Sequence, residues 1–137
     1  MKSTRDVVFE ACGVHLIWNE RFLLVQRPID KRHPLEWSAV GGKLDANEKA
    51  EDAIRREVRE ETGIELADIE LLSSQRFAHE GIGFDYHQFL SRVAERPDVV
   101  LNDEHIGYGW FTIEEARGLR LMEDELELLE ETYRIVR

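Results

Sequence analysis

Cysteine occurs once in this chain, proline three times and methionine twice. The lone thiol, Cys12, can close no internal disulfide and supply no CxxC metal site, so it reads as a small buried hydrophobe in a strand. Positive charge is also scarce: 18 Lys and Arg stand against 29 Asp and Glu, a formal net charge of -11. Such a field repels a nucleic-acid backbone and an anionic membrane surface, which argues against both as main partners. A small anionic molecule remains admissible where local cations offset the field. Long apolar runs are missing too. The start, MKSTRDVVFEACGVHLIW, is basic, but Glu10 and His15 interrupt its apolar stretch. It reads as a strand, not as a signal peptide or a membrane span, and the cytoplasm is the expected compartment. No linker, repeat or low-complexity tract divides the sequence, so residues 1–137 are expected to form a single domain with a substantial core.

What is present reads as a mixture of strands and helices. Val7 to Trp18 is rich in β-branched and aromatic residues, Asn19-Glu20 predicts a turn, and FLLVQR predicts a second strand stopped by Pro28. Residues 28–36 form a loop, and WSAVGG reads as one short strand ending in paired glycines. A helix is expected from Lys49 to Thr62, with Gly63 as its stop. Strands follow at Ile69 to His79 and Phe84 to Ala94, separated by EGIG, with another around YGWF. Thr112 and Glu115 form a capping box for a short helix. Met122, Leu126, Leu129, Tyr133 and Val136 make one apolar stripe in a last helix. Without strict βαβ alternation, the class is α/β with helices covering a mixed sheet.

The central helix carries the chemistry. On a helical wheel Ala50, Ala53, Ile54 and Val58 define the inward stripe. Glu57 and Glu61 project into its middle, and Glu60 borders it. Glu51, Asp52, Arg55 and Arg59 point outward, and Glu51–Arg55 and Asp52–Arg56 are expected as ion pairs. No cation of the same helix is expected to reach Glu57 or Glu61. Two carboxylates about 6 Å apart repel by roughly 3 kcal/mol at an effective dielectric near 20. A bound divalent cation offsets that best, and oxygen donors without Cys or paired His suit Mg²⁺ or Mn²⁺ rather than zinc.

The stretch GGKLDANEKAEDAIRREVREETGIE resembles the signature of the Nudix hydrolases. Gly42, Glu48, Arg56, Glu57, Val58, Glu60, Glu61, Gly63 and Ile64 meet its constrained positions. The resemblance implies an α/β/α sandwich whose mixed β-sheet lies between helices. It further implies a Mg²⁺-dependent hydrolase, with Mn²⁺ as a substitute, that cleaves the diphosphate linkage of a nucleoside diphosphate derivative. Glu57, Glu60 and Glu61 would be the metal carboxylates, with Glu48 completing the site directly or through water and Arg56 orienting the cluster through Glu48. The Gly42 carbonyl would join the coordination, and Arg27, Gly41, Gly42 and Lys43 would contact substrate. In the stretch NDEHIGYGW, Glu104 corresponds to a glutamate that assists metal binding or acts as base, and His105 is a further candidate. Val40 stands where the family commonly has proline, and Asn47 where it commonly has glycine. Asn tolerates a left-handed backbone, so that turn is expected to survive.

Each of these assignments has a plainer competitor. Arg27 is also an ordinary surface arginine and Glu104 an ordinary loop carboxylate. Phe84, Tyr86 and Trp110 suit base stacking or core packing. His79 and His87 read as satisfied structural histidines. The alternatives in function are a nucleotide-sugar hydrolase and a non-catalytic nucleotide-binding regulator of the same fold. The partner is a small-molecule nucleotide, with a homodimer left open.

Overall fold

The computed structural model describes residues 7–137, so the basic start with Lys2 and Arg5 lies outside the described residues. The first strand, β1 (Val7–Trp18), turns into β2 (Arg21–Gln26) through Asn19 and Glu20, at φ 50° and 60°. Two consecutive left-handed residues give a turn whose twist matches that of the strands it joins. The strand expected over WSAVGG is in fact two, β3 (Trp37–Ser38) and β4 (Val40–Lys43). They part at Ala39, whose N–H leaves the ladder and donates to Glu125 Oε1 at 2.9 Å.

Helix α1 (Ala50–Thr62) runs as expected to Gly63, which sits at φ 76° and returns its N–H to Arg59 O. Strands β5 (Glu70–His79) and β6 (Ile82–Val93) form a hairpin. Its turn is tighter than the EGIG stretch implied, because Glu80 and Gly81, at φ 53° and 82°, suffice. Strand β7 (Gly107–Phe111) precedes α2 (Ile113–Arg117), and the Thr112–Glu115 capping box is present.

The last helix, α3 (Glu125–Val136), departs from the expected stripe. Met122 lies before it and Leu126 is 41% exposed, whereas Glu125, Leu128, Leu129 and Thr132 are buried. The reason is polar. His15 on β1 is fully buried, and its Nδ1 and Nε2 meet Thr132 Oγ1 at 2.7 Å and Glu125 Oε2 at 2.9 Å. Satisfying a buried imidazole turns the helix toward it, and Tyr133 and Val136 pack at the margin.

Strand β1 is the hub of a mixed sheet. One edge pairs antiparallel with β2 and β4, and the other pairs parallel with β6, which β5 flanks. Strand β2 also carries β3 and β7. Alternation along the strands serves two cores. Cys12, Val14, Leu16, Leu23 and Val25 pack with Ala53, Ile54 and Val58 of α1. Ile17, Phe22 and Leu24 pack with Ile113 and Ala116 of α2 and Leu129 of α3. The result is the expected sandwich, helix on both faces of the sheet.

Candidate active site

Burial of Ala53, Ile54 and Val58 fixes the rotation of α1 and so turns Glu57 and Glu61 toward β4. Space for them comes from glycine: a Cβ at Gly42 would fall 2.4 Å from Glu57 Cδ. The Gly42 carbonyl lies 3.6 Å from Cys12 Sγ, which donates to it. Glu61 is 2% exposed and its Oε1 has no partner, whereas the Glu60 side chain is 53% exposed. Burial, then contact with the Glu57 carboxyl and the charges of Glu57, Glu104 and Glu60, push the Glu61 pKa well above the usual carboxylate range.

Arg56 organises the near side of the cluster. Its Nε and Nη2 donate to Glu48 Oε2 and Oε1, both at 2.9 Å, a bidentate pair. Hydrogen bonds from Arg56 and from the Asp45 N–H hold the Glu48 pKa down at about 2. Nη1 reaches Glu57 Oε2 at 3.0 Å and Glu60 Oε1 at 3.3 Å. This corrects the expectation that no cation of the same helix serves Glu57, since an adjacent arginine on a long stem folds back over the carboxylates. The outer pairs also differ. Arg55 donates to the carbonyls of Leu66 and Ala67 instead of pairing with Glu51, and no Asp52–Arg56 pair forms among the described residues. The Asn47 turn survives, at φ 64°.

The segment after β6 is tied to the end of α1. Val100 N–H donates to Thr62 O at 2.9 Å, Asn102 N–H to Glu61 O at 3.4 Å, and Ile106 N–H to Gln26 O at 2.9 Å. These bonds bring Glu104 and His105 to the carboxylates. Glu104 is exposed, and His105 Nδ1 faces Glu61 Oε1 at 3.8 Å. Burial and the Arg27 charge push the His105 pKa down to about 4, which keeps the ring neutral.

A cavity of about 700 Å³ gathers most of the candidates: Arg27, Gly41, Gly42, Lys43, Glu57, Glu60, Glu61, Glu104 and His105 all line it. Glu48 and Arg56 do not, and stand behind Glu57. Arg27 donates to Arg32 O at 2.5 Å, and Lys43 Nζ sits 4.4 Å above the Phe9 ring. Phe84 and Tyr86 line the cavity too, joined to Phe9 and Phe77 by ring contacts, whereas Trp110 packs against the core and Trp18. His79 pairs with Glu123, and His87 with Ser74 and Glu10, so both histidines are satisfied. Arg32 and His33, read from sequence only as loop, also line the cavity; the mixed charge of PIDKRHP was the one signal.

Among the described residues, no three carboxylate, His or Cys side chains converge as a finished metal shell. Arg56 accounts for this by drawing Glu57 and Glu60 to itself. The donor set still fits a hard divalent cation. It is rich in carboxylate oxygen and contains a buried, unpartnered Glu61 oxygen that only a cation or a donor can satisfy.

The family model of the NUDIX domain matches residues 10–132. The chain belongs to the Nudix hydrolase family. A nucleoside triphosphatase, NudI, of Salmonella agona is 34% identical over 113 residues, covering 73% of this chain and 79% of that protein. The CTP pyrophosphohydrolase of Escherichia coli K12 is 32% identical over 110 residues, covering 80% of each. Among solved structures, a MutT Nudix hydrolase from Burkholderia pseudomallei superposes with a TM-score of 0.78 at 29% identity, over 89% of this chain and 95% of that one. The protein is therefore a hydrolase of the Nudix type, a family that generally works with divalent metal on small-molecule substrates. No helix of the described residues is long and apolar enough to cross a membrane.

Proposed function

We propose that this Nudix hydrolase works as one domain in the cytoplasm, uses Mg²⁺ or Mn²⁺, and cleaves the diphosphate linkage of a nucleoside triphosphate. The buried, unpartnered Glu61 oxygen beside Glu57 is the observation that carries the metal reading. The names of the two relatives, a nucleoside triphosphatase and a CTP pyrophosphohydrolase, support the substrate class.

Glu57, Glu60 and Glu61 would hold the cation, and Gly42 lines the same cavity. A cation held there would supply charge neutralisation at the diphosphate oxygens and would make a bound water more acidic. Arg56, clamped by Glu48, fixes the rotamer of Glu57 and acts through it. Arg27 and Lys43 line the same cavity and offset phosphate charge that the net acidity of the chain would otherwise repel. The Glu104 carboxylate is open to solvent and accepts the proton of the attacking water. The aromatic group of Phe9, Phe77, Phe84 and Tyr86 offers the base a flat apolar wall.

The test is a panel of nucleoside triphosphates, sugar nucleotides and dinucleoside polyphosphates with Mg²⁺, reading released phosphate or pyrophosphate. Triphosphates should turn over fastest, and excess chelator should abolish the rate. Full activity in chelator would remove the metal assignment. Binding without turnover of any substrate would favour the regulator instead.

A further inference from the structure

Among the described residues, two buried atoms of the site have no hydrogen-bond partner, Glu61 Oε1 and His105 Nδ1. They face each other at 3.8 Å, with 3% and 8% of their side chains exposed. That separation is too long for a direct hydrogen bond. With His105 as its Nε2–H tautomer and Glu61 ionised, both atoms are acceptors, and such a facing pair is unfavourable unless something electropositive lies between them. The backbone holds the imidazole in place, because the bonds of Asn102 and Ile106 pin the segment on both sides of it. Nor does Arg27, whose charge reaches His105, fill the gap, since neither atom accepts a hydrogen bond from it.

We infer that His105 Nδ1 is a nitrogen ligand of the divalent cation held by Glu61, and that it biases the site toward Mn²⁺ over Mg²⁺. The inference rests on the metal reading above. Both ions favour carboxylate oxygen, but Mg²⁺ is smaller and dehydrates reluctantly, whereas Mn²⁺, a first-row transition ion, accepts an imidazole nitrogen more readily. One nitrogen in an otherwise carboxylate site therefore adds more affinity for Mn²⁺ than for Mg²⁺. Coordination through Nδ1 requires the Nε2–H tautomer of the ring. His33 and His79 also line the cavity, but His79 is taken by Glu123 and His33 lies 3.6 Å from Glu36. Among the described residues, only His105 points an unpartnered buried nitrogen at the carboxylates.

The experiment is electron spin echo spectroscopy of the full chain loaded with Mn²⁺, prepared with ordinary and with nitrogen-15 histidine. Wild type should show a directly bound nitrogen whose modulation changes on histidine labelling, and His105→Ala should lose it. By calorimetry, the ratio of Mn²⁺ to Mg²⁺ affinity should fall about tenfold in His105→Ala and in His105→Gln. The labelled wild-type spectrum reads the ligand without any variant, so a misfolded substitution does not block the test. If Mn²⁺ binds and histidine labelling leaves its spectrum unchanged, the inference is overturned while the metal reading stands. A nitrogen signal that persists in a folded His105→Ala overturns it as well. If wild type binds no Mn²⁺, both readings fall together.

Discussion

A carboxylate that is 2% exposed and has an unpartnered oxygen weakens the fold that carries it, and Glu61 is such a residue. Because burial raises the Glu61 pKa, the metal-free fold must take up a proton there at neutral pH, a cost that the isosteric Glu61→Gln avoids. In chelator this variant should therefore melt above wild type. With Mg²⁺ its kcat should fall about 100-fold or more, about 2.7 kcal/mol of barrier. Glu51→Gln, exposed in the first turn of the helix, should change the rate by less than about 2-fold. Equal losses from both would place the reacting cluster elsewhere. Glu104 calls for a different measurement. If it takes the proton, Glu104→Gln should lower kcat with little change in KM and should move the acidic limb of the pH–rate profile. A wild-type profile from that variant would take Glu104 out of the chemistry.

Elements rather than single residues decide how these groups meet. The inward stripe of α1 was legible because Ala53, Ile54 and Val58 repeat at helical spacing, and that fixed Glu57 and Glu61 as well. The reach of Arg56 was not, since a wheel gives directions and no side-chain length. For α3 the apolar stripe misled by a few residues. His15 reads as a polar break in the apolar stretch of a strand, and nothing near it in sequence announces Glu125 or Thr132 as its partners. That polar link joins β1, the break between β3 and β4, and α3 through one carboxylate. Glu125→Ala would leave the Ala39 N–H and a buried His15 nitrogen without an acceptor. It should cost about 2–4 kcal/mol, read as a lower urea midpoint. Glu125→Gln, which keeps an acceptor for Ala39, should lose less; equal losses would mean that the carboxylate charge alone matters.

For the whole molecule, Cys12 offers a gauge of opening. It is 1% exposed, and burial pushes its thiol pKa up to about 12, so little thiolate forms at pH 8. Alkylation should proceed only through unfolding, and divalent metal with nucleotide should slow it by mass action. Fast labelling of the folded protein at pH 8 would contradict that burial. The strand order around Cys12 has a further consequence. The parallel partner of β1 runs from Ile82 to Val93, and register joins Val7 to Gly83 and Trp18 to Val93. Closing so long a loop costs entropy that is returned only when the strands pair. On the ribosome, every carboxylate from Glu48 to Glu61 has been made before the first residue of β6 is added. Until Val93 emerges, β1 keeps an open edge and the wall formed by Phe84 and Tyr86 does not exist. A nascent chain halted in that interval is an acidic peptide bearing all the motif glutamates and no surface on which to hold a nucleotide.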